Sequence, residues 1–154
     1  MMLSEAPGSL NKFGRTPWKF QQTFHTTRSN LPPFVKTIVS AAQPIQVGCV
    51  TIDQWVFEPK HLIDLLSSHL IAPRYAHDIS LTASGPEETE TLLEAVFSDW
   101  IDFIFVPKPK SFVIYADHDE FTTFFAPTRS NLNRVVKPLA GLGFEMVQGY
   151  KRSF

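Results

Sequence analysis

Two apolar runs, residues 112–116 (FVIYA) and 121–126 (FTTFFA), flank the polar tetrapeptide Asp117-His118-Asp119-Glu120. Both runs are rich in aromatic and β-branched residues, which suit a pleated surface. Four residues are too few for a parallel crossover, so the two runs must form an antiparallel hairpin. A helix is predicted immediately afterwards, over 128–140. Thr128 stands as its cap, Leu132, Val135, Val136 and Leu139 lie on one face, and Gly141 and Gly143 stop it. Residues 144–150 follow as a predicted final strand. A hairpin leading into an amphipathic helix requires a sheet with a helix laid on it.

The upstream chain repeats this grammar. Residues 45–57 form a central strand with apolar residues on both faces. Glu58-Pro59 opens a helix carrying Leu62, Ile63, Leu65, Leu66 and Leu70. Residues 77–83 alternate as a half-buried strand. Ser84, with Glu87 three residues on, fits a capping box for a helix whose buried face is Leu92, Leu93, Val96, Phe97 and Trp100. Residues 102–106 read as a short aromatic strand, and 30–42 as a helix with Pro32 and Pro33 in its first turn. Residues 1–16 have few apolar positions and are expected to be a loose tail or a peripheral arm. The fold expected is therefore α+β: one domain over 17–154, with a mostly antiparallel sheet packed against helices in a two-layer sandwich.

Thr27-Arg28-Ser29-Asn30-Leu31 recurs as Thr128-Arg129-Ser130-Asn131-Leu132, and Val35-Lys36 recurs as Val136-Lys137 at the same offsets. Seven of the ten positions compared are identical. Thr23-Phe24 and Thr123-Phe124 precede the two copies. The pattern fits a duplicated strand–helix–strand unit, or a capping motif used twice by chance.

Net charge is −1, which gives the chain as a whole no pull on nucleic acid or anionic lipid. The aromatic runs lack the interleaved basic residues of an RNA platform. The single cysteine, Cys49, lies in an apolar run and excludes an internal disulfide. A reducing, cytoplasmic setting and a buried inert thiol are expected. No apolar run reaches the roughly 18 residues of a membrane span. No nucleotide-binding, hydrolase or metal motif is present, so no cofactor and no metal are expected.

The densest polar cluster is Asp117, His118, Asp119 and Glu120. It reads as a solvated turn, as an acidic patch for a basic partner protein, as an acid–base site in which flanking carboxylates favour the charged His118, or as a metal site of three carboxylates and one imidazole, although adjacent turn residues rarely converge on one ion. Arg129, Ser130 and Asn131 at a helix N-terminus can bind an anion, a phosphate or a carboxylate, beside a plain capping role. His61 and Asp64, three residues apart on a helix, read as a polar stripe, as do His77 and Asp78 before a strand. The expected role is a small protein-binding or inhibitory module, of the kind that neutralises a toxin, acting through the acidic hairpin Asp117–Glu120. The alternative is a small enzyme or an anion- or ligand-binding domain in which the turn Asp117, His118, Asp119 and Glu120 works beside Arg129, with His118, Asp119 and Glu120 as the catalytic candidates.

Overall fold

The computed structural model describes residues 1–16, 18–76 and 78–153. In chain order the elements are β1 (Met2–Glu5), α1 (Ser9–Arg15), β2 (Phe20–His25), α2 (Leu31–Ala41), β3 (Val47–Gln54) and α3 (Lys60–Ser68). Then come β4 (Ile79–Ser84), α4 (Gly85–Ser98), β5 (Asp102–Lys108), β6 (Val113–Ala116), β7 (Phe121–Ala126) and α5 (Arg129–Gly141). The seven strands form one sheet in the order β1-β4-β3-β5-β6-β7-β2. Every pairing is antiparallel. The fold is α+β, with helices packed on the sheet.

Strand alternation divides the sheet into two faces. Phe24, Val50, Ile52, Leu81, Phe103, Phe105, Ile114 and Phe124 point to one side and meet Phe34, Ile38, Leu92, Val96, Val135 and Leu139 from α2, α4 and α5. Leu62 and Leu66 of α3 complete that core. Each fully buried Phe in it contributes about 1.5–3 kcal/mol of apolar transfer energy. Phe97 meets Phe103 edge-on at 5.0 Å, and Phe24 meets Phe124 at 5.8 Å. At Gly48 the helix layer comes so close that a Cβ would lie 2.6 Å from Thr89 Cγ2 of α4.

The opposite face carries a smaller cluster of Phe13, Ile104, Val113, Tyr115 and Phe125. Phe13 belongs to α1. The segment expected as a loose tail therefore holds an edge strand and a helix. Its apolar Leu3, Leu10 and Phe13 are too widely spaced to announce themselves, yet each packs against a core cluster.

Two further expectations are corrected. The predicted strand at 144–150 reduces to one isolated bridge, Phe24 to Met146. His25 N donates to Glu145 O and Val147 N to Thr23 O, both at 2.9 Å, and Gly149 then takes φ 70° and turns the chain off the edge. Ser84 makes no side-chain cap; instead its N–H donates at 2.6 Å to a Glu88 carboxylate oxygen. The expected strand at 77–83 is observed as β4; His77 itself lies outside the described residues.

The repeated segments do share a strand-then-helix form. β2 leads into α2, and β7 leads into α5. β2 and β7 pair so that Thr23 lies opposite Thr123, and their hydroxyls are 2.7 Å apart. The likeness ends after the helices, where β3 follows the first and, among the described residues, no strand follows the second.

Candidate functional site

The β6–β7 turn does not present its four polar residues together. Asp117 folds inward. One carboxylate oxygen accepts from Asp119 N at 2.9 Å and Phe121 N at 3.1 Å, closing an Asx turn. The other accepts from Arg152 Nη2 at 2.7 Å, and both side chains are nearly buried. Arg152 also donates Nε to Thr123 Oγ1 at 3.0 Å and lies 4.6 Å over the Tyr115 ring, whose hydroxyl donates to Asp53. Asp117 is thus occupied by the sheet's second face. Glu120 closes the turn in the left-handed region, φ 71°, and with Asp119 remains exposed.

His118 turns the other way. Its backbone N–H donates to Asp102 Oδ1 at 2.7 Å, and its ring Nδ1 donates to the same oxygen at 2.8 Å. Asp102 is buried at 4% exposure as the first residue of β5. Burial pushes its carboxyl above the usual Asp value, with the His118 hydrogen bonds opposing. The same bond to Asp102 raises His118 above an ordinary histidine, with burial opposing. In the neutral ring this arrangement leaves the lone pair on Nε2, which lies 3.6 Å from Asp119 Oδ1.

A second pair of the same design lies nearby. Asp99, at the end of α4 and 5% exposed, accepts from His61 N at 3.1 Å and Leu62 N at 2.8 Å. It thereby serves the first turn of α3, which has no side-chain cap of its own. His61 Nδ1 donates to the same carboxylate at 2.7 Å. Between the two aspartates Trp100 adopts φ 53°. That left-handed residue reverses the chain from α4 into β5 and keeps Asp99 and Asp102 three positions apart at the helix layer's end.

Both histidines line one cleft of about 540 Å³. Its other walls include Arg28, Lys60, Ser98, Trp100, Phe57 and Glu120. Arg28 lies 5.1 Å from the Trp100 ring centroid and reaches Ser98 O at 3.4 Å. The cations that line this cleft with His118 are therefore Lys60 and Arg28, the latter from the first copy of the repeat. Arg129, its counterpart in the second copy, stacks 4.8 Å over Phe20 and lines a separate depression with Gln21 and Tyr150. Ser130 is exposed, and Asn131 N donates to Thr128 Oγ1 at 3.1 Å in an ordinary cap.

The sequence reading missed Asp99 and Asp102. Their signal was available: two carboxylates inside VFSDWIDFIF, a stretch otherwise too apolar to be a surface. A carboxylate buried there must find donors. His61 was paired with Asp64 on helical spacing, whereas its partner lies 38 residues away on another element. Among the described residues, no group of three or more His, Cys, Asp or Glu is placed to hold a metal ion. No described helix is long and apolar enough to cross a membrane.

No protein-family model matches the chain, and no curated protein or solved structure matches it.

Proposed function

We propose that the cleft between α3, the α4–β5 connection and the β6–β7 turn is an acid–base site, with His61 and His118 as the proton-transfer groups. The observation that carries this reading is the pair of buried aspartates, Asp99 and Asp102, each fixing one histidine through Nδ1 at 2.7 and 2.8 Å. A carboxylate on Nδ1 sets the tautomer, orients the ring and stabilises the imidazolium. Two such rings in one cleft supply a base for an attacking hydroxyl and an acid for a leaving oxygen. Arg28 and Lys60 supply positive charge for an anionic centre in a cleft that Glu58 and Glu120 also line. An acid and a base beside that positive charge suit transfer or hydrolysis of a phosphoester, with a substrate hydroxyl or water attacking and the leaving oxygen taking the acid's proton.

The test uses bis(4-nitrophenyl) phosphate as the probe. His61→Gln and His118→Gln should each lower turnover by about 10²–10⁴-fold. Asp102→Asn should lower it and move the limb of the pH–rate profile that His118 sets, towards lower pH. No turnover by the unmodified chain, or turnover unaffected by both histidine variants, sinks the reading.

A second reading, a protein-binding or inhibitory module of the toxin-neutralising kind, keeps one supporting observation. Phe57, 56% exposed, lines the same cleft as Glu120, and both Glu120 and Asp119 are exposed. An exposed aromatic with exposed carboxylates suits a basic partner surface. Asp117 is not available to such a partner because Arg152 holds it. Under this reading Phe57→Ala and Asp119→Lys weaken a purified complex, while His61→Gln leaves it intact.

A further inference from the structure

We infer that the sheet's second face carries a separate ligand site, a groove beneath α1 that takes a single-chain amphiphile with an anionic head. The groove holds about 380 Å³, at the lower end of the range for small-molecule sites, roughly 300–1,000 Å³. Its apolar wall is Phe13, Trp18, Ile104, Val106 and Val113. The strand register sets Val106 beside Cys49, and Ile104 beside Thr51, so the floor changes from apolar to polar across β5 and β3. On the polar side Cys49 Sγ lies 3.0 Å from Ser80 Oγ, with Thr51 Oγ1 3.4 Å from the same hydroxyl.

Charge calls for an anion there, since three lysines and, among the described residues, no carboxylate line the groove. Lys12 from α1 and Lys108 and Lys110 from the β5–β6 connection stand at the rim. None of the three forms an ion pair with a carboxylate among the described residues. A carboxylate or sulfate head pairs with these ammonium groups, while its aliphatic chain covers the Phe13–Val113 wall. This site shares no residue with the acid–base cleft.

Cys49, the single cysteine, lines the groove and reports its occupancy. The probe is decanoate below its micellar concentration, with decanol and decyltrimethylammonium as matched controls. With decanoate at about ten times its Kd, Cys49 in the full chain reacts about tenfold more slowly with a thiol reagent. Decanol protects less at equal concentration, and the cation protects least. Substituting all three exposed lysines, Lys12→Gln, Lys108→Gln and Lys110→Gln, removes the preference for decanoate over decanol without unfolding the chain. Equal protection by all three amphiphiles, or none by decanoate, overturns the proposal. Binding to anionic phosphatidylglycerol vesicles without protection by monomeric decanoate also overturns it, since the lysines would then serve a membrane surface.

Discussion

Arg152 Nη2 donates to Asp117 Oδ2 at 2.7 Å across 35 residues, and both side chains are about nine-tenths buried. The pair joins the end of the chain to the β6–β7 turn. Further hydrogen bonds hold it in place, to Thr123 from the arginine and from two turn N–H groups to the aspartate. Removing one partner leaves the other charge without its counterion. Arg152→Ala should therefore destabilise the fold by about 3–5 kcal/mol in a denaturant melt. Arg152→Ala combined with Asp117→Asn should cost less than the sum of the two single changes. Strict additivity would mean that the two groups do not interact in solution.

The His118–Asp102 bond gives a pH dependence with a definite sign. A histidine whose folded pKa is raised contributes stability that is fully present below its unfolded value of 6.5. That contribution is lost as pH rises through the raised value. His118→Gln should thus cost more stability at about pH 5 than at about pH 9. Asp102→Asn should bring the His118 titration, followed by NMR, down towards the ordinary value. A His118 titration that stays in place in Asp102→Asn would show that the raised value has another source.

The two copies of Thr-Arg-Ser-Asn-Leu should respond differently to one substitution. Thr128 caps α5 by accepting from Asn131 N at 3.1 Å. Thr27 caps nothing; its hydroxyl lies 3.4 Å from Ser29 Oγ, and α2 has no side-chain cap. Thr128→Ala should cost about 1 kcal/mol and Thr27→Ala no more than about half of that. Thermal melts of the two variants decide it, and equal losses would refute the asymmetry.

Gly48 tests the packing of α4 on β3. An added methyl meets Thr89 at 2.6 Å for Cγ2 and 2.7 Å for Oγ1, and Thr89 is fully buried. Gly48→Ala should destabilise by about 1–3 kcal/mol through overpacking. Thr89→Ala in the same chain should recover part of that loss, because both clashing atoms are removed. No recovery would place the strain in the strand backbone instead.

The hairpin, the capped helix after it and the α4 segment were legible because their signals are local: alternation, a cap residue, helical spacing of apolar side chains. The closing strand at 144–150 was misjudged for the complementary reason. Its apolar residues suit a strand, but β2 accepts only one bridge before Gly149 turns the chain away. The N-terminal segment was misjudged because one or two apolar contacts per element, Phe13 above all, show no period in sequence.

The class of fold and the place of the polar turn follow from side-chain periodicity and chain reach alone. What the turn does depends on contacts between distant elements. The tertiary structure divided Asp117 from His118, giving one to Arg152 and the other to Asp102. It brought Arg28 to the histidine cleft and left Arg129 elsewhere, although the two lie in identical pentapeptides. Partner choice across 16, 35 and 38 residues is fixed by sheet order and by the left-handed reversal at Trp100. Neither of these is written in any local stretch of the chain.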